Sequence, residues 1–118
     1  MGLHVGAVTF DAADPERLAS FWSAVLGVPV RAGRTLTDVR VIDRSEAGPT
    51  MLFLPVPEPK TAKNRCHVDL HTPTYDDDLA RLRTLGAAVV ADHTEAGRWT
   101  VLTDVEGNEF CLVEDVVG

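Results

Sequence analysis

The chain has 118 residues, 45 % hydrophobic and 25 % charged, which suits one compact domain with a real core and is too short for two independent ones. Its net charge of −7 argues against binding a phosphate backbone, which needs clustered Lys and Arg to release counterions. No apolar run approaches a membrane span, and Met1-Gly2-Leu3-His4 has neither the basic flank nor the apolar stretch of a signal peptide, so a cytoplasmic protein without membrane or nucleic-acid partners is expected.

Val5 to Asp11 reads as an extended stretch. Asp14-Pro15-Glu16 then opens a helix: Asp14 suits the N-cap, Pro15 the first turn, and Glu16 complements the dipole. Leu18, Phe21, Trp22, Val25 and Leu26 recur at helical spacing, and Gly27 is the natural stop. Phe21 and Trp22 sit in the helix stripe and so are assigned to the core. Val28 to Val30, Leu36 to Ile42 and Met51 to Val56 follow as strands, divided by Ala32-Gly33 and Glu46-Ala47-Gly48-Pro49. Arg31, Arg34, Arg40 and Arg44 form only a modest basic group there, diluted by Asp38 and Asp43. Residues from about 55 to 63 are too proline-rich for a central strand and read as a linker between modules.

The order then repeats. Cys66 to His71 reads as a strand, about Tyr75 to Leu85 as a helix with the stripe Leu79, Leu82 and Leu85, and Asp76, Asp77 and Asp78 crowd its positive end. Ala87 to Ala91, Trp99 to Thr103 and Glu109 to Glu114 read as strands, with Gly107 taking a positive φ in the last turn. The two Leu-Gly stops, Leu26-Gly27 and Leu85-Gly86, lie about half the chain apart, the mark of a duplicated supersecondary unit. The expectation is an α+β fold of two tandem βαβββ modules, module 1 over about 1–57 and module 2 over about 64–118. One helix per module covers the outer face, leaving a cupped, mostly antiparallel sheet surface as the place for a ligand.

Asp14-Pro15-Glu16-Arg17-Leu18-Ala19-Ser20-Phe21-Trp22, Leu26-Gly27, Leu85-Gly86-Ala87, Asp104-Val105-Glu106-Gly107-Asn108-Glu109-Phe110 and Lys63-Asn64-Arg65-Cys66-His67-Val68-Asp69-Leu70 occur in an order that resembles the vicinal oxygen chelate superfamily. This group contains glyoxalase I, bleomycin-resistance proteins and extradiol dioxygenases, and the likeness is to its small bacterial glyoxalase-like domains. The resemblance implies a homodimer, and a divalent ion held by side chains from the first and last strands of each module. Carried over by position, those four places hold Ala7, an apolar residue near Phe53, His67 and Cys111. His4, three residues from Ala7, belongs to the other strand face. The expected state is therefore one without cofactor, the alternative being one divalent metal ion on His67 and Cys111, with Asp69 as a conceivable third donor.

Strand alternation puts Asp69 and His71 on the face of His67, and Cys66, Val68 and Leu70 on the helix side. Cys66 and Cys111 then point to opposite faces, and both are expected as free thiols. Asp69 can hold His67 in one tautomer, making it a general base or proton shuttle. Trp99 can stack on a planar or cationic ligand. Cys111 reads either as a nucleophile beside an imidazole or as an inert buried thiol. His71 reads as a surface residue and His93 as a loop residue. Phe53, His67, Asp69, Trp99 and Cys111 are thus expected to line the ligand site, with His67 and Asp69 as its catalytic pair if it has one. The expected function is binding of a cationic or aromatic small molecule, antibiotics included, in the manner of glyoxalase-like and bleomycin-resistance-like proteins. The alternative is a lyase or isomerase using His67, with a dioxygenase behind it.

Overall fold

The computed structural model describes residues 2–35 and 38–115. Its chain divides into two compact units, Met1–Pro59 and Lys60–Gly118, each with one helix and a four-stranded mixed sheet.

In the first unit, β1 (Val8–Ala12), α1 (Pro15–Leu26), β2 (Val30–Ala32), β3 (Arg40–Ile42) and β4 (Met51–Pro55) follow in order. The sheet order is β1-β4-β3-β2, with β1 and β4 parallel and the other pairs antiparallel. Helix α1 begins where Asp14 Oδ1 accepts the Arg17 N–H at 3.1 Å, and ends where the Gly27 N–H donates to the Ser23 carbonyl. Between these caps Leu18, Ala19, Phe21 and Trp22 are buried. Trp22 stacks on Phe10, with centroids 6.0 Å apart, and Phe10 on Phe53 at 5.6 Å, so an aromatic row joins helix to sheet.

The second unit repeats the plan with β5 (Val68–Thr72), α2 (Tyr75–Leu85), β6 (Ala88–His93), β7 (Trp99–Thr103) and β8 (Glu109–Glu114), in sheet order β5-β8-β7-β6. Here β5 and β8 are the parallel pair. The hydroxyls of Thr72 and Thr74 donate to Asp78, Tyr75 meets Thr100 through their hydroxyls, and Leu82 is buried with Leu102, Phe110 and Leu112. The Arg98 guanidinium lies 4.2 Å from the Tyr75 ring centroid and 2.7 Å from Asp76.

Helix bounds and the last two strands agree with the sequence reading, whereas five strand starts move, that of β6 by one residue to Ala88. The first strand begins at Val8 rather than Val5, because its partner β4 begins at Met51, the residue opposite Val8. Val28 is held at the helix end by the Ser23 hydroxyl, 2.7 Å from its carbonyl, so β2 starts two residues later. Of the expected strand Leu36 to Ile42, Leu36 and Thr37 lie outside the described residues, and β3 begins at Arg40. Likewise β5 starts at Val68, opposite Phe110, rather than at Cys66, and β6 runs on to His93.

The segment entering the second unit is pinned to it. Glu109 takes the Lys60 ammonium at 3.0 Å and the Asn64 N–H at 2.9 Å, while the Asn64 amide donates to Asn108. Asn108 in turn is fixed by Asp104, whose Oδ1 accepts both the Glu106 and the Asn108 N–H across a turn closed by Gly107 at φ 85°.

Candidate functional site

Helix α2 covers one face of the second sheet through Thr100, Leu102, Phe110 and Leu112. Alternation turns Asp69 and His71 of β5, Cys111 and Val113 of β8, and Trp99 and Val101 of β7 toward the other face. Asp69 and Cys111 are direct register partners on adjacent strands, so their side chains rise side by side. His67 stands just before β5, one residue short of its first pairing, and its Nε2 lies 3.2 Å from Asp69 Oδ1. Both side chains are about half exposed, at 48 % and 51 %, which leaves the pair open to a ligand.

One nitrogen, one oxygen and one sulfur, from His67, Asp69 and Cys111, all lie within 4.8 Å of one another. Burial pushes the Cys111 thiol above its ordinary range, and the Asp69 carboxylate adds to the rise by its charge and by accepting the thiol's hydrogen bond. The Lys63 ammonium works in the opposite direction and falls short. Burial and both influences of Asp69 favour the thiol over the thiolate.

Trp99 shares this face, one register step along from Val101, and its ring is stacked on His93 at 3.9 Å with 13° between planes. His93 is thus the last residue of β6, whereas the sequence suggested a loop there. His71 is exposed on the same face and pairs with Asp115 at 3.3 Å. Cys66 is exposed and Cys111 buried, and both are free.

Phe53 departs from the expected set. It is wholly buried and packs toward α1 through Phe10, whereas the face of β4 turned away from α1 carries Leu52 and Leu54. Met51-Leu52-Phe53-Leu54 is apolar throughout, so alternation left no face signal there. Lys63 and Glu109 went unassigned in the sequence reading. The signal for Glu109 is its position two residues before Cys111, which puts both on one strand face. Asn64 and Lys60 hold its carboxyl below the usual carboxylate range. An open groove of about 420 Å³ in the first unit is lined by Val5, Gly6, Arg44, Ser45 and Gly48 to Thr50, and contains none of the expected site residues.

The donor set does not suit a hard ion such as Mn(II) or Mg(II), which favours several oxygen ligands. It does suit a borderline ion such as zinc: bonds of about 2.0 to 2.3 Å in a tetrahedron place donors about 3.3 to 3.6 Å apart, within small side-chain rotations of the arrangement seen. His67, Asp69 and Cys111 would hold such an ion, which supplies Lewis-acid polarisation of a ligand oxygen when bound. The expectation of a cofactor-free site thus meets a three-donor group that leaves a metal open. Among the described residues no helix is long and apolar enough to cross a membrane.

A family model described as "Glyoxalase-like domain" matches residues 7–113. No curated protein sequence matches. Among solved structures, a mutant of the fosfomycin resistance protein FosX from Listeria monocytogenes, complexed with Mn(II) and 1S,2S-dihydroxypropylphosphonic acid, superposes with a TM-score of 0.77 at 14 % identity, covering 96 % of this chain and 90 % of that one. A glyoxalase/bleomycin resistance protein/dioxygenase family enzyme from Burkholderia phytofirmans gives 0.76 at 16 %, covering 97 % and 100 %. The antibiotic binding protein TnmS3 from Streptomyces gives 0.72 at 23 %, covering 98 % and 99 %. At these identities the structures share the fold with this chain.

Proposed function

The chain belongs to the glyoxalase-like domain family, and with it to the vicinal oxygen chelate superfamily, and we propose that it binds a small molecule on the face of its second sheet turned away from α2. The observation that carries this reading is the gathering of His67, Asp69 and Cys111 on that face, with Trp99 on the next strand, opposite Val113. Asp69 offers charge to a cationic group and Trp99 an aromatic surface to a planar one, so the ligand class is cationic or aromatic. The likeness to an antibiotic binding protein supports an antibiotic or related metabolite within that class. Carried over by position, two of the four ligand places of the superfamily's metalloenzymes hold Ala7 and an apolar residue of β4, which supports a reading that does not depend on a four-ligand ion. A cytoplasmic homodimer completes the proposal, and its mass in solution is directly measurable.

A thermal-shift panel of cationic glycopeptides, planar aromatics and α-oxoaldehyde thiol adducts tests it. A ligand present at about 100 times its Kd stabilises the folded state by about 2.7 kcal/mol, an easily visible shift. No shift with any class, at concentrations up to the millimolar range, sinks the reading.

The 3.2 Å contact between His67 Nε2 and Asp69 Oδ1 favours a second reading, a lyase or isomerase. Asp69 holds the Nε2–H and steadies the imidazolium, leaving Nδ1 to take a proton from a carbon beside a carbonyl and return it at a neighbouring atom. This version predicts that His67→Ala abolishes turnover with little change in melting temperature. Unaltered turnover in that variant removes His67 from the mechanism.

A further inference from the structure

We infer that the open groove of the first unit, between Val5-Gly6 and the β3–β4 hairpin, is a binding site for a small organic monocarboxylate whose charged group is taken by the Arg44 guanidinium. The groove belongs to a different unit from His67, Asp69 and Trp99, so the inference does not rest on the ligand-binding proposal.

The first support is the build of the groove. Its volume of about 420 Å³ suits a small molecule. Gly6 and Gly48 line it without side chains, and a Cβ added to either would meet no atom within 4 Å, so a ligand can approach the backbone there. The hairpin beside it is closed rather than loose. Beyond Ile42 and Met51, the last register partners of β3 and β4, the Arg44 N–H donates to Thr50 Oγ1 at 3.0 Å. Ser45 and Gly48 then exchange N–H to carbonyl bonds of 3.0 and 3.2 Å.

The second support is charge. The carboxylate next in sequence, Asp43, is committed to Arg31 through two hydrogen bonds of 2.8 and 2.9 Å, and Glu16 stands by Arg40. Glu46 lies on the turn but does not line the groove. Among the described residues no acidic side chain lines it, and none comes within ion-pair distance of Arg44. In a chain of net charge −7, a cation beside a groove is thus left open to an incoming anion.

The third support is the hydrogen-bonding state of the two hydroxyls in the lining. Thr50 Oγ1 accepts the Arg44 N–H, and Ser45 Oγ accepts the Ala47 N–H at 3.1 Å. Each oxygen has its backbone donor, and among the described residues neither hydroxyl gives its own hydrogen to the protein. A guanidinium with two hydroxyl hydrogens is rich in donors, and an ionised carboxylate is acceptor only. The charge also matches one for one, whereas a phosphate group of nearly two negative charges would be left half compensated. Val5 and Pro49 add apolar surface for the body of the acid.

The test is residue-resolved amide NMR of the whole chain titrated with hexanoate, with hexanamide and inorganic phosphate as comparison probes. Hexanoate has neither an aromatic ring nor a positive charge, so the second-sheet reading assigns it no affinity and the two proposals fail separately. The expected result is saturable shifts at Gly6, Arg44, Ser45 and Thr50 with a Kd of about 1 mM or tighter, and no saturable response to hexanamide. Arg44→Gln should weaken hexanoate by about tenfold or more, Arg44→Lys by less, and added salt should weaken it in the wild type. Absence of saturable shifts up to about 10 mM hexanoate, shifts confined to the second unit, an equal response to hexanamide, tighter binding of phosphate, or unchanged affinity in Arg44→Gln overturns the site. The comparison of hexanoate with hexanamide needs no variant, so a misfolded mutant leaves the test intact.

Discussion

Asp69 and Cys111 face each other across the parallel β5–β8 pair, and the carboxylate of one accepts the hydrogen bond of the other's thiol. Burial is the main cause that holds the sulfur protonated, and this contact adds to it while Asp69 also lies beside His67.

The thiols should therefore differ sharply towards alkylation. At pH 7 iodoacetamide is expected to modify the exposed Cys66 and leave the buried Cys111 intact, read residue by residue in the mass spectrum. Asp69→Asn removes a charge that holds the thiol proton and should shift Cys111 modification to lower pH. Equal rates at both cysteines in the native protein contradict the arrangement.

The same thiol affects alkaline stability. Its folded pKa lies above its unfolded value, so its contribution is fully present below the unfolded range, near about 8.5, and is lost as pH rises through the folded value. Urea denaturation at pH 8 to 10.5 should show stability falling in the wild type, with a smaller fall in Cys111→Ala. Parallel curves for the two proteins would rule this out.

Glu109 behaves in the opposite sense. Asn64 and Lys60 depress its pKa, so its contribution is present above the unfolded value, near about 4.3, and disappears as pH falls through the folded one. Glu109→Gln is expected to cost about 1 to 3 kcal/mol at pH 7, to flatten the acid limb, and to speed amide exchange at Asn64. Unchanged protection at Asn64 would show that the clamp does not hold the segment.

Phe53→Ala should destabilise the protein by about 3 to 5 kcal/mol, because the ring is wholly buried between Phe10 and the rest of the α1 core. A loss below about 1 kcal/mol in urea denaturation would place the ring outside the core.

These outcomes follow the line between what local chemistry decides and what partners decide. Helices α1 and α2 were legible because their limits are local: Asp14 and Pro15 open one, Gly27 and Gly86 close both. Strand starts were less so, since Val8 and Val68 begin strands only where Met51 and Phe110 stand opposite. His67, Asp69 and Cys111 could be placed together because polar residues at alternate positions reveal a face. Phe53 could not, since its strand is apolar on both sides. The His93–Trp99 stack depends on the β6–β7 register, including its shift between Val89 and Ala91, and has no sequence signature.

The most direct measurement of the central claim is titration calorimetry of metal-free wild type, Asp69→Asn and Trp99→Leu with the strongest ligand from the thermal-shift panel. Binding on the face of the second sheet turned away from α2 predicts one ligand per chain, weakened about tenfold in at least one of the two variants while both keep the wild-type fold. Wild-type affinity in both variants would place the ligand elsewhere and contradict the account.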